Sequence, residues 1–201
     1  MPDFVKQDDC KIHRVSEFLK MNNGEEYVKL ITETFKSPNK DVENFLKQKA
    51  VQSTKLSTAS SYLVCSKRSF PDVELVGYFT IATKILNLNK SALSKSTEKI
   101  VSRFGYYDEN SDSYHIPAIL IAQLGRNFSE DSSSISGTDL ISFALEHVKY
   151  IMSLSSGKTV FLECEKKQKL IDFYIANGFS VLDSEVLSKN KKELVQLYRL
   201  L

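Results

Sequence analysis

The sequence predicts an α/β chain of the α+β kind, with a central sheet of six to seven strands flanked by about four helices. Three observations predict it. Ser60-Tyr-Leu-Val-Cys-Ser66 and Glu74-Leu-Val-Gly-Tyr-Phe-Thr-Ile-Ala82 are apolar runs of strand length around a polar turn, Lys67–Asp72, the pattern of an antiparallel hairpin. From Pro117 to Phe179 the chain then reads strand, polar loop, helix, strand, helix. Finally, Leu194-Val-Gln-Leu-Tyr-Arg-Leu-Leu201 is apolar almost without interruption, as in an interior strand.

Element by element, residues 1–24 are polar and weakly patterned, with a short strand expected around Ile12-His-Arg-Val15. A helix is predicted from Gly24 to Phe35, with acids in its first turn and Val28, Ile31 and Phe35 at helical spacing. Ser37-Pro-Asn39 breaks it, and a second helix starts near Asp41 with Val42, Phe45, Leu46 and Ala50 on one face. After the hairpin, residues 83–115 form an insertion between the third and fourth strands. Ser96 to Arg103 is predicted as a short helix turning Ile100 and Phe104 inward, and Gly105 to Tyr114 as an exposed, aromatic-rich loop. That loop is either a surface excursion folded on its own tyrosines or a lid or acceptor wall. Thr138 to Leu154 carries Leu140, Ile141, Ala144, Leu145, Val148 and Ile151 at steps of three and four, and Ser155-Ser-Gly157 ends it. Thr159-Val-Phe-Leu-Glu-Cys164 is the next strand. Gln168 to Asn177 is the last helix, with Gly178 placed for a left-handed C-cap. Val181-Leu182 and Leu194–Leu201 supply two closing strands. No repeat or linker interrupts the 201 residues, so one domain is expected.

Composition narrows the function classes. With 42% hydrophobic and 26% charged residues, the chain is an ordinary globular one. A net charge of +2 is too small to argue for nucleic acid, and the modest run Lys189-Asn-Lys-Lys192 reads as solvated surface. Cys10, Cys65 and Cys164 lack metal-ligand spacing, and the last two sit in apolar runs where a thiol packs as a small hydrophobe, so no metal is expected. No signal peptide is read and no apolar run approaches the ~20 residues of a membrane helix, so the expectation is a cytoplasmic protein with no membrane partner.

The chemistry is sought between Pro117 and Phe179. Ser132-Ser-Ser-Ile-Ser-Gly-Thr138 is small, polar and opens directly onto the long helix. Free backbone N–H groups and the positive end of the helix dipole make such a turn a phosphate cradle, while ordinary capping by Ser136 explains the serine equally well.

Taken with its neighbours, this order resembles the GNAT superfamily of acyl-CoA-dependent N-acyltransferases. The specific points are a Pro-led fourth strand, a ten-residue loop closing on a Gly before an apolar helix, and Phe-Tyr-x-x-x-Gly-Phe from Phe173 to Phe179. Leu75-Val-Gly-Tyr-Phe79 has the look of the family's third strand. The resemblance covers roughly Asp41 to the C-terminus. It implies a mixed, mostly antiparallel sheet splayed between the fourth and fifth strands, with acetyl-CoA as co-substrate and an amine as acceptor. The pantetheine would pair with Leu124, Gly125 and Arg126, and the pyrophosphate would lie over Ser134, Ile135, Ser136, Gly137 and Thr138. Tyr174 falls on the position of the general acid that meets the departing thiolate; packing beneath the sheet is its purely structural alternative.

Two departures stand out. The family's loop reads Gln/Arg-x-x-Gly-x-Gly/Ala; Ser132 stands at the first place, Ile135 at the middle glycine, and only Gly137 matches. An Ile disfavours positive φ. The Asn often found early in the last helix is absent, with Lys167 near that place as a possible phosphate ligand. For a base, Glu163 on the fifth strand is the candidate, ahead of Glu165 and His115, although a strand Glu is more often surface. Phe45-Leu-Lys-Gln-Lys-Ala50, Val-Gly-Tyr-Phe and the Pro-led strand also resemble the GNAT toxins of toxin–antitoxin pairs, which acetylate aminoacyl-tRNA. The expected activity is therefore acetyl transfer to a primary amine of an unidentified small or macromolecular acceptor. The alternatives are a toxin acting on aminoacyl-tRNA, the one nucleic acid the charge leaves room for, and a non-catalytic GNAT-fold binding module. A homodimer is compatible with the apolar C-terminal strands.

Overall fold

The structure is a computed structural model describing residues 9–66, 74–129, 135–187 and 193–201, with backbone alone for 183–187. The turn Lys67–Asp72, residues Ser132 to Ser134 of the loop and the Lys189–Lys192 run lie outside the described residues.

In chain order the elements are β1 (Cys10–Arg14), α1 (Val15–Phe18), α2 (Gly24–Glu33), α3 (Lys40–Asn44), a π-helical turn (Phe45–Lys49), α4 (Ala50–Lys55), β2 (Ser60–Ser66), β3 (Glu74–Asn89), a 3-10 turn (Lys90–Ala92) and α5 (Lys95–Val101). There follow β4 (Tyr106–Asp108), β5 (Ser113–Arg126), α6 (Gly137–Leu154), β6 (Thr159–Glu165), α7 (Gln168–Ala176), β7 (Ser180–Leu187) and β8 (Glu193–Leu200). Among the described residues, eight strands pair in the order β1-β2-β3-β5-β6-β8-β7, with β4 on β5. The β5–β6 pair is parallel and the others with a described register are antiparallel. The chain forms two compact units, Met1–Ala82 with Ala122–Glu146, and Thr83–Ile121 with His147–Leu201.

In the first unit, β1 pairs with β2 in the register Ile12↔Val64, close to where a strand is predicted. The turn α1 that follows escapes the sequence pattern because four residues are too few for periodicity. It is held by Glu17, whose carboxylate accepts the Arg14 N–H at 3.3 Å. Helix α3 starts at an Asn39 cap that accepts the Asp41 N–H at 3.0 Å. It runs through one π-turn into α4, with the Ala50 N–H reaching back to the Phe45 carbonyl. Leu46 and Ala50 are buried as predicted, while Val42 and Phe45 pack against the same core half-buried.

The second unit corrects two predicted boundaries. Strand β3 does not stop at Ala82 but runs to Asn89, so the first seven residues assigned to the insertion are strand. Buried Leu86 and Leu88 alternate there with exposed Ile85, Asn87 and Asn89, a period-2 signal already in the sequence. Gly105–Tyr114 is likewise not a loop but the hairpin of β4 and the start of β5, paired Tyr107↔Tyr114. Its turn is closed locally: the Asn110 N–H and the Ser111 hydroxyl donate to the Asp108 carboxylate at 3.1 and 2.6 Å. Helix α5 covers this part of the sheet with Val101, and Ile100 and Phe104 line an apolar pocket with Leu86, Leu88 and Ile116.

The Lys90 N–H donates to the Asp112 carbonyl and the Asn127 N–H to the Val76 carbonyl, both at 2.9 Å. On β5, Ile116 and Ala118 join the Leu86 cluster, whereas Gly125 faces Tyr78. The parallel register of β5 with β6 spans only Ala118↔Thr159 to Leu120↔Phe161, although both strands run on. Strand β8 lies between β6 and β7, which is why it is apolar almost throughout.

Candidate active site

The end of α7 explains the Phe-Tyr-x-x-x-Gly-Phe signature before any chemistry is invoked. Gly178 has φ +83°, its N–H donates to the Ile175 carbonyl at 2.9 Å, and the Phe179 N–H donates to the Tyr174 carbonyl at 3.1 Å. These two bonds are the Schellman arrangement of a helix C-terminus. Its usual apolar contact is the Tyr174 ring set edge-on to Phe179, centroids 5.9 Å apart, with Phe173 at 5.0 Å on another side. The motif spacing is thus the geometry of a cap that fixes one tyrosine at the third residue from the helix end. Arg199 of β8 completes the cap. Its guanidinium donates to the Asn177 carbonyl at 2.8 Å and lies 3.1 Å from where a Cβ on Gly178 would stand, a cation on the negative end of the helix.

The Tyr174 hydroxyl has no hydrogen-bond partner among the described residues. Burial, with a smaller contribution from the Cys164 thiol, raises its pKa above that of an ordinary tyrosine. The group is a proton donor throughout the neutral range. Cys164, on β6, is itself pushed up to about 11 by burial and by Glu165.

The candidate base stands on the other face of β6. Leu162 and Cys164 share one face, Phe161, Glu163 and Glu165 the opposite one. Glu163 is exposed, and its carboxylate accepts from the side-chain N–H of Gln196, its partner across β6–β8, at 2.9 Å. Gln196 is buried; nothing in the sequence singled it out except an amide inside an apolar strand. Lys167 is exposed and pairs with Glu165 at 2.5 Å. Both ring nitrogens of His115 face partners, Asn87 at 2.7 Å and the Asp108 carboxylate at 3.7 Å, which ties that residue into the β4–β5 hairpin.

In the first unit, Leu124, Gly125 and Arg126 end β5. Gly125 has a packing reason to be glycine, because a Cβ there would come within 2.6 Å of Val42 Cγ1 and 2.9 Å of the Tyr78 ring. Beyond it the chain is anchored by Asn127, which the sequence reading missed. This buried side chain accepts the Lys36 and Ser129 N–H groups at 3.1 Å each and donates to the Leu75 carbonyl at 2.8 Å. Arg126 reaches across the base of the loop, donating to the Ile135 carbonyl at 3.3 Å and lying over the Phe128 ring at 4.8 Å. Ile135, at the place of the family's middle glycine, is fully buried and keeps negative φ; its side chain belongs to the core. Ser136 caps α6: its hydroxyl accepts the Asp139 N–H at 3.0 Å and donates to the Asp139 carboxylate at 2.6 Å. The capping explanation of that serine therefore holds. The first-turn donors left for an anion are the Gly137 and Thr138 N–H groups, with the Arg126 guanidinium beside Ile135 and the Asp139 carboxylate opposing. Ser134 lies outside the described residues. Among the described residues, no group of three or more His, Cys, Asp or Glu side chains stands close enough to hold a metal ion, and no helix is long and apolar enough to cross a membrane.

No protein-family model and no curated protein matches the chain. Solved structures do. AtaT complexed with acetyl-methionyl-tRNAfMet matches at TM-score 0.62 and 20% identity, over 93% of this chain and 94% of that one. A Tyr-to-Phe mutant of KacT matches at 0.63 and 16%, over 93% and 94%. AtaTR bound with AcCoA matches at 0.59 and 16%, over 96% and 94%. With its mixed, mostly antiparallel sheet, the short parallel β5–β6 register and the capped tyrosine helix, the chain has the GNAT fold.

Proposed function

We propose that this chain transfers an acetyl group from acetyl-CoA to a primary amine, and that the amine is the one carried by an aminoacyl-tRNA. The observation that carries the reading is Tyr174, fixed by the α7 cap with a hydroxyl that no described residue uses. The acceptor is favoured by the likeness to AtaT complexed with acetyl-methionyl-tRNAfMet, at TM-score 0.62, above the more general reading of an unspecified amine.

The residues fit acetyl-CoA. Leu124 to Arg126 offer strand backbone to the pantetheine. The Gly137 and Thr138 N–H groups at the start of α6, the Ile135–Ser136 backbone and the Arg126 guanidinium serve the pyrophosphate. Acetyl-CoA supplies a thioester. The amine nitrogen attacks its carbonyl carbon, the C–N bond forms, the C–S bond breaks, and the sulfur leaves as a thiolate. Tyr174 donates a hydrogen bond to that sulfur. With ordinary pKa values of about 10 and 8.5, full proton transfer is uphill by roughly 2 kcal/mol. Burial raises the Tyr174 side further, so hydrogen-bond donation to the thiolate, not full proton transfer, is the role. The amine proton passes to water; Glu163, the candidate base, stands on the face of β6 opposite Cys164 and is tied to Gln196.

Two measurements test this. Acetyl-CoA raises the melting temperature by mass action, about 2.7 kcal/mol of stabilisation at one hundred times Kd. Incubation with acetyl-CoA and aminoacyl-tRNA releases free thiol and yields N-acetyl-aminoacyl-tRNA. No thermal shift at millimolar acetyl-CoA would leave a GNAT-fold binding module; a shift with thiol release only on small amines would remove the tRNA acceptor.

A further inference from the structure

The insertion between the third and fourth strands carries a feature that acetyl transfer does not use. Lys95, Lys99 and Arg103 recur every fourth residue along α5 and the turn after it, and all three are exposed. Arg103 stays on the helical path, its N–H donating to the Ile100 carbonyl at 3.2 Å. At 1.5 Å per residue the three cations form a stripe with steps of about 6 Å. The stripe lies opposite the buried face, where Val101 and Ile100 pack on the sheet.

Three of the segment's acids are engaged elsewhere, while Glu109 is exposed at the hairpin tip. Glu98, the helix's own carboxylate, accepts from the Tyr114 hydroxyl at 3.0 Å and pairs with Lys90 at 3.5 Å. Asp108 is held by Asn110 and Ser111, and Asp112 by the Tyr107 hydroxyl at 2.7 Å. Among the described residues, no carboxylate pairs with Lys95, Lys99 or Arg103. The same strip of chain runs on into Tyr106, which is 73% exposed, while its neighbours Tyr107 and Tyr114 pack against each other in a tilted pair, centroids 5.0 Å apart. Burying that ring would remove a large apolar surface from water, yet the hairpin turns it out.

We propose that the α5–β4 insertion is the docking surface for the RNA acceptor, with Lys95, Lys99 and Arg103 on consecutive backbone phosphates and Tyr106 stacking on an unpaired base. A row of cations with no carboxylate partner among the described residues, next to an exposed aromatic ring, is the combination that tracks a single strand, phosphates in series and bases against a ring. An acidic protein surface would match the charges but has no use for the ring. The inference rests on the aminoacyl-tRNA reading of the acceptor and adds to it the face that holds the tRNA.

The test uses the full chain with fluorescently labelled deacylated tRNA, binding followed by anisotropy from 50 to 200 mM salt. Each phosphate contact contributes about 0.7 to 0.9 to the slope of log affinity against log salt. The triple variant Lys95→Ala/Lys99→Ala/Arg103→Ala is expected to flatten that slope by about 2 to 3. Tyr106→Ala is expected to weaken binding about 5- to 150-fold, the equivalent of 1–3 kcal/mol per stacked base, with the slope unchanged. Glu109→Lys at the hairpin tip adds a cation and is expected to steepen the slope by about one. The acetyl-CoA thermal shift and thiol release on a small amine stay at wild-type values in all three. A triple variant with the wild-type slope overturns the proposal. So does equal wild-type binding to phosphatidylglycerol vesicles, which would mean a general polyanion surface. A wild type that acetylates small amines but does not bind tRNA sinks this inference while leaving acetyl transfer standing.

Discussion

Tyr174→Phe separates the structural role of the tyrosine from its chemical one. The substitution keeps the ring, and with it the edge-on contacts to Phe179 at 5.9 Å and Phe173 at 5.0 Å; the cap bond to Tyr174 comes from its backbone carbonyl. What it removes is a hydroxyl with no hydrogen-bond partner among the described residues. No bond is lost in the resting protein, so stability should change by no more than about 0.5 kcal/mol. For a chain of this length that is a melting shift within about 2 °C. The loss falls on the transition state, where the hydroxyl meets a developing thiolate. A hydrogen bond to a charged group contributes about 1.5–3 kcal/mol, and general acid catalysis about 10²–10⁴-fold. The expected outcome is a fall in kcat of roughly a hundredfold to a thousandfold with little change in KM for acetyl-CoA. Thiol release under saturating acceptor measures the first and a melting curve with and without acetyl-CoA the second. Full activity in Tyr174→Phe would refute the assigned role. A drop of more than about 5 °C would show that the hydroxyl is structural after all.

Three further outcomes follow from the same geometry. Gly178→Ala puts a Cβ at φ +83°, 3.1 Å from the Arg199 guanidinium; the left-handed conformation alone costs about 1–2 kcal/mol. Thermal denaturation should show a loss of at least about 2 °C, accompanied by lower kcat because the cap sets Tyr174. Glu43 is held well below the usual carboxylate range, at about 2, by the Ser37 N–H first and then by Lys40 and Lys47. Its folded-state value is depressed, so its contribution is present above about 4.5 and is lost as pH falls towards 2; Glu43→Gln should reduce the loss of stability over that window in acid titrations. Burial pushes Cys65 up to about 12 and Cys164 to about 11, so alkylation of the native protein at pH 8 should label the half-buried Cys10 first and the other two only on unfolding. Mass spectrometry of the labelled peptides reads this directly.

Most of the element order was legible because it depends on local periodicity. The repeat of Leu140, Ile141, Ala144, Leu145 and Val148 marks one buried helix face, and the apolar runs of β2, β3, β5, β6 and β8 mark strands. The extension of β3 was legible too, in the alternation of Leu86 and Leu88 with Asn87 and Asn89, but residues 83–115 were assigned to an insertion. The hairpin of β4 and β5 was hidden by its composition: Asp, Asn and Ser read as loop until their side chains are seen closing a tight turn. Of the candidate site, the Tyr174–Gly178–Phe179 spacing was fully written in the chain, since a Schellman cap is a local structure with fixed offsets.

The sequence by itself therefore determined most of the helices and strands, the capped tyrosine and the serine cap of α6, all of which are decided within a few residues of each other. Only the tertiary structure decided what the long-range partners impose. Gly125 is glycine because Val42 and Tyr78 crowd it from more than forty residues away in sequence. Ile135 gives up the family's glycine place because its side chain fills the core, and Arg126 closes the loop base through the Ile135 carbonyl. Glu163 is oriented by Gln196 of a strand added last. Packing contacts and cross-strand hydrogen bonds of this kind join residues distant along the chain, and no pattern of neighbours in one sequence encodes which of them will meet.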